Sequence, residues 1–224
     1  MKRAEINKIM REAVDFINEM KFKLPPFAFW SPEEWATKGH DYDEIRDNML
    51  GWDITDFGSG DFFKIGLLMF TLRNGNFNDK KYFKPYAEKL LIVEERQITP
   101  YHFHWSKMED IINRGGGDLI VKVYNSTEDE LFADTDFDIY MDGKHFKVKA
   151  GDTVRIKPGE SISIQSGMYH SFWAEVGKTL LGEVSKVNDD RVDNRFYEPT
   201  GRFPEIDEDE KPLYLLGNEF PMAK

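Results

Sequence analysis

The stretch His102-Phe103-His104-Trp105-Ser106-Lys107-Met108-Glu109 decides how this chain is read. Two histidines stand one residue apart, a glutamate follows, and His170 answers them from much later in the chain. Side chains alternate between the faces of a β-strand, so His102 and His104 are expected on one side. Glu109 can return to the same point from a turn or from the next strand. His170, arriving on a distant strand, would complete a shell of three imidazoles and one carboxylate. That nitrogen and oxygen set suits Mn2+, Fe2+, Co2+, Ni2+ or Zn2+ and leaves positions open for water or substrate.

Around this cluster lies an acidic chain of 224 residues with net charge −11, 40% hydrophobic and 14% aromatic residues, and no cysteine. The length fits one domain that buries a core without disulfides. The missing cysteines exclude a thiolate metal site, and the negative charge argues against nucleic acid or an anionic membrane surface as partner. The opening residues MKRAEINKIMREAVDFINEMKF carry charges every few positions, unlike a signal peptide, so a cytoplasmic location is expected.

The rest of the chain reads as mainly β. Ile6, Met10, Ala13, Ile17 and Met20 form a helical stripe over residues 3–21, and Ser31-Pro32-Glu33-Glu34 looks like a helix start. Short strand-like runs dominate from about Tyr86: KLLIVEERQITPYHFHW, DLIVKVYN, and FDIYMDGKHFKVKA with an Asp142-Gly143 hairpin turn. DTVRIKPG, SISIQSG, YHSFWAEVG and KTLLGEVSKV follow. Gly115-Gly116-Gly117 reads as a tight turn, and Gly177-Lys178 as the turn of a hairpin between SFWAEV and TLLGEVS. The expected organisation is a barrel core over 81–190, a helical and strand extension over 1–80, and an irregular wrapping tail over 191–224. Many short, evenly punctuated strands imply an antiparallel sandwich or barrel.

The spacing of His102, His104, Glu109 and Gly116 resembles the first sequence motif of the cupin superfamily. Gly159, Gly167 and His170 resemble the second, with Gln165 and Ala174 where that motif has proline and asparagine. The resemblance implies a double-stranded β-helix, or jelly-roll, barrel. More specifically, TPYHFHWSKMEDIINRGGGDLIVKVYN, PYAEKLLIVEERQ and DNRFYEPTGRFPEIDEDE look like bacterial D-lyxose isomerases. The likeness covers most of the chain from residue 24 onward. It implies a manganese enzyme that interconverts D-lyxose with D-xylulose, and D-mannose with D-fructose, with His102, His104, Glu109 and His170 as ligands.

Aldose–ketose isomerisation moves a proton from C2 to C1 and needs a base, an acid or relay, and charge stabilisation for the enediolate. Lys107, two residues before Glu109, is one candidate, although a solvent-facing turn lysine would fit the sequence as well. Glu183 interrupts the apolar run Leu180, Leu181, Val184, which is costly unless it has a partner or a task. Glu205 is a third candidate, in a tail that could close over the site. Lys89 and Arg195 could bond sugar hydroxyls, while Trp105 and Phe172 could pack against the sugar's C–H faces. The alternatives are an iron-dependent dioxygenase built on the same ligands and a non-catalytic sugar-binding module. Exposed strand edges would favour a homodimer.

Overall fold

The computed structural model describes residues 1–187 and 189–223. Helix α1 (Arg3–Glu19) is followed by two short helices, α2 (Pro32–Trp35) and α3 (Asp43–Asp47), and then by strands. These are β1 (Gly51–Thr55), β2 (Leu67–Arg73), β3 (Tyr86–Val93), β4 (Thr99–Phe103), β5 (Glu109–Asn125), β6 (Phe137–Met141) and β7 (Lys144–Val148). After them come β8 (Thr153–Ile156), β9 (Ser161–Ile164), β10 (Met168–Lys186) and β11 (Arg195–Phe196). No helix among the described residues is long and apolar enough to cross a membrane.

Alternation along β2 and β3 explains why both read as unbroken apolar runs. Leu67, Met69, Leu91 and Val93 point into the barrel core. Leu68, Phe70, Leu72, Leu90 and Ile92 point the other way, onto the packed face of α1 formed by Ile6, Ile9, Met10, Ala13 and Ile17. With both faces covered, neither strand can carry the polar alternation of a half-exposed sheet. Helix α2 starts as expected: Glu34 N–H donates to Ser31 Oγ, and Ser31 N–H donates to the Glu34 carboxylate. The β6–β7 hairpin also turns at Asp142-Gly143, both residues having positive φ.

Two expected turns are absent, and one cause accounts for both. Residues 168–186 form a single strand, β10, antiparallel to β5 along nearly its whole length. In place of a hairpin at Gly177-Lys178, the register slips between Glu175 and Thr179, so that residues 176–178 of β10 bulge opposite Gly117. The triplet 115–117 is therefore the interior of β5 rather than a turn. A Cβ on Gly116 would sit 2.2 Å from the Lys178 carbonyl oxygen, and one on Gly117 would sit 2.4 Å from the Glu175 and Gly177 oxygens. The glycines are required because the bulge leaves no room for side chains.

Bent at this bulge, the two long strands serve both halves of the barrel. Their β10 168–175 and β5 118–125 halves lie near β4 and β8, while the other halves pair with β3 and β9. The KLLIV…HFHW run is likewise broken, between Val93 and Thr99, into β3 and β4. His170 on β10 then comes opposite His102 on β4.

Candidate metal centre and active site

His102 lies near the end of β4, His104 just past it, Glu109 opens β5, and His170 sits on β10. One ring nitrogen from each histidine falls within 4.8 Å of the others. The backbone sets the tautomers. Each Nδ1 lies against a carbonyl oxygen: Pro100 at 2.8 Å for His102, Asp193 at 2.8 Å for His104, and Met168 at 3.1 Å for His170. With Nδ1–H donating there, each Nε2 presents a bare lone pair to the interior. The Nε2 atoms of His104 and His170 are buried without a hydrogen bond, at 3.4 Å and 3.3 Å from Glu109 Oε1. Burial, followed by the neighbouring His170 and His104, holds His102 well below the usual histidine pKa and so keeps it neutral.

Gly167 shows why the second histidine motif needs its glycine. It has φ +78°, and its N–H donates to the His104 carbonyl, tying the turn before β10 to the end of β4. Asp193 ties the tail to the same place. Its carboxylate accepts the Ser106 and Lys107 N–H groups, and its carbonyl faces His104 Nδ1.

Beside the histidines runs a buried ionic chain. Lys107 Nζ lies 2.6 Å from Glu109 Oε2 and 2.9 Å from Glu183 Oε1. Lys89 Nζ lies 3.4 Å from Glu183 and 2.9 Å from Asp190. Arg202 holds both carboxylate oxygens of Asp53 and approaches Asp190 at 3.9 Å. Lys107, Glu109, Glu183 and Lys89 are at most 5% exposed. Burial alone would lower the Lys107 ammonium, but Glu109, Glu183 and Asp190 outweigh it and hold the group above its ordinary value. Burial alone would raise Glu109 and Asp190. Lys107 overcomes it for the first, Lys89 and Lys107 for the second, and both stay well below the carboxylate range.

A divalent cation fits this arrangement. Among the described residues, the carboxylates of Glu109, Glu183, Asp190 and Asp53 meet the cationic side chains of Lys107, Lys89 and Arg202. The Nε2 lone pairs and Glu109 Oε1 supply nitrogen and oxygen donors of the type such ions take. Buried donors of this kind are costly unless something occupies them.

Of the other residues expected at the site, Phe172 and Lys89 line the same cavity. Three do not. Trp105 is half exposed, and its indole N–H donates to Glu130. Arg195 also bonds Glu130, because β11 alternates and turns Phe196, not Arg195, inward. Glu205 is an exposed surface residue whose carbonyl accepts the Met1 ammonium. Asn194, Phe196, Asp190 and Arg202 take the tail's places in the cavity wall, and the Phe196 ring stacks on His102 at 5.3 Å. Asn194 and Arg202 lie in irregular parts of the tail and Asp190 just before it, where no periodicity marks an inward face. The DNRF stretch of the family-like segment was the only available signal for Asn194 and Phe196.

Residues 1–220 match the family model for D-lyxose isomerase. The chain belongs to the D-lyxose isomerase family. It is 48% identical over 223 residues to the D-lyxose/D-mannose isomerase of Escherichia coli O157:H7, covering 98% of each chain. Its identity to the protein of the same name from Serratia proteamaculans is 46%, again with 98% of each covered. Among solved structures, the L-ribose isomerase of Acinetobacter sp. DL28 superposes with a TM-score of 0.56 at 14% identity, over 92% of this chain and 98% of that one. The Cellulomonas parahominis L-ribose isomerase gives 0.54 at 15% identity with the same coverage. The solved structures speak to the fold, which is a cupin-type barrel, and family membership makes the protein a sugar isomerase.

Proposed function

We propose that this protein interconverts D-lyxose with D-xylulose and D-mannose with D-fructose, using a divalent metal ion, with manganese the preferred ion. The observation that carries the reading is the convergence of three fixed Nε2 lone pairs and Glu109 beside the buried Lys107–Glu183 pair. Both D-lyxose/D-mannose isomerase relatives support the choice of sugars.

When bound by His102, His104, Glu109 and His170, the ion supplies Lewis acidity toward the oxygens on C1 and C2. The remaining work belongs to side chains. Glu183 takes the C2 proton and returns it to C1, a role supported by the contacts with Lys107 and Lys89 that hold it from two sides. Lys107, kept charged by its carboxylate neighbours, hydrogen-bonds the C1 oxygen on which negative charge develops, and the C2 hydroxyl proton passes to that oxygen as the C2 carbonyl forms. Asp190 fixes the Lys89 ammonium, and the Phe172 and Phe196 rings keep that wall of the cavity apolar.

The test is an anaerobic assay of D-lyxose deuterated at C2. Ketose formation without oxygen, with label lost to solvent, supports proton transfer. Strict dependence on oxygen would overturn the isomerase assignment, and complete retention of label would favour a hydride shift.

A further inference from the structure

The inner cavity beside the histidines has a volume of about 40 Å3. That is room for about three waters at 10–15 Å3 each, less than a sugar of five carbons and five oxygens needs. A larger chamber of about 330 Å3 adjoins it and shares Lys89, Asp190 and Arg202 as a common wall.

One sheet face floors both spaces. On β1, Thr55 lines the inner cavity and Asp53 the outer; on β2, Met69 lines the inner and Thr71 the outer. On β3, Leu91 belongs to the inner cavity and Lys89 to both. These pairs are each two residues apart, so they share a face and are separated by roughly 6.5–7 Å, the scale of an extended five- or six-carbon chain. Register sets the rows: Thr71 pairs with Lys89, and Met69 pairs with Leu91 on one side and with Asp53 on the other. Going outward along β2 and β3, the floor changes from Met69 and Leu91 to Thr71 and Lys89; Asp53, level with Met69, borders the outer chamber, which adds Asn76 and Asn218. Polar groups thus stand at both ends, the histidines, Lys107 and Glu183 inside and Thr71, Lys89, Asn76 and Asn218 outside, which suits a polyol whose reacting end lies inside.

Resting on the isomerase reading above, we propose that the outer chamber is a subsite for the hydroxylated tail of the sugar. C1 and C2 lie at the histidines, the chain passes the Lys89–Asp190–Arg202 wall, and the terminal carbons sit over Asp53 and Thr71. A sixth carbon is then read in the outer chamber, so this subsite sets the preference between hexose and pentose.

The experiment uses the manganese-loaded full chain with Thr71→Leu, which fills the chamber floor, and Asn218→Trp, which fills it from the exposed side. kcat/KM is measured for D-mannose and D-lyxose, and calorimetry measures binding of D-mannitol and D-arabinitol. The expected result is a mannose-to-lyxose ratio reduced by about tenfold, with mannitol weakened relative to arabinitol. Ratios within twofold of wild type for both sugars and alditols would overturn the subsite. If thermal unfolding shows that Thr71→Leu does not fold, Asn218→Trp decides by the same criteria. If wild type makes no ketose at all, the isomerase reading fails, and the alditol ratio alone then supports or overturns the chamber.

Discussion

Lys107 Nζ donates to Glu183 Oε1 at 2.9 Å, joining the loop before β5 to the far half of β10. The contact places a candidate proton carrier directly beside a charge that Glu109 also holds, at 2.6 Å. Because neither residue belongs to the histidine set, proton transfer and metal binding can be separated by mutation. Glu183→Gln and Lys107→Gln should each lower kcat by about 10²–10⁴-fold. Metal content, measured by plasma mass spectrometry, should stay at the wild-type level. Activity close to wild type in both variants would remove the pair from the reaction.

Gly116→Ala tests the account of the strand bulge. Gly116 has φ +93°, and an added Cβ would meet the Lys178 carbonyl at 2.2 Å. Backbone strain of about 1–3 kcal/mol and the cost of moving β10 should both appear as a lower urea midpoint. An unchanged midpoint would mean that the triplet is dispensable.

These glycines also show where local sequence signals run out. Gly115-Gly116-Gly117 and Gly177-Lys178 carry the composition of turns, and only the antiparallel partner reveals that the chain bends without reversing. Periodicity was enough for α1, and the Asp142-Gly143 pair for its hairpin, because both are set by neighbours in sequence. His102, His104, Glu109 and His170 were legible for another reason, their chemistry being rare in a chain with five histidines. Trp105 and Arg195 both turn to Glu130 instead, because proximity in sequence to a ligand does not give side-chain direction. Asp190, Asp193 and Arg202 carry no such signal, since the irregular chain from 189 onward has no period to mark an inward face.

If those directions are right, Glu205→Gln and Arg195→Ala should leave kcat/KM within about twofold of wild type, as surface substitutions commonly do. Steady-state kinetics on D-lyxose decides. A drop of a hundredfold in either variant would mean that the tail closes over the sugar in a way that brings that side chain inward.

The tail is fastened to α1 by Arg3, which is buried and pairs with Glu208 and Glu219. Arg3→Ala should cost about 1.5–3 kcal/mol in urea unfolding at pH 7. The Arg3 hydrogen bond, the largest influence on Glu208, holds that carboxyl below its ordinary value. A depressed carboxylate contributes stability above its unfolded pKa of about 4.3 and loses it as the pH falls through the lower folded value. The gap between wild type and variant should therefore narrow below about pH 4, and a gap that widened there would contradict the pairing.

Whether the three histidines and Glu109 hold an ion on which turnover depends is decided by titrating manganese into chelator-treated protein while following D-xylulose formed from D-lyxose. Negligible turnover is expected without metal, with a rise that breaks at one ion per chain and no such rise in His104→Ala. Full turnover by the metal-free protein, or the same titration curve in His104→Ala, would contradict that dependence.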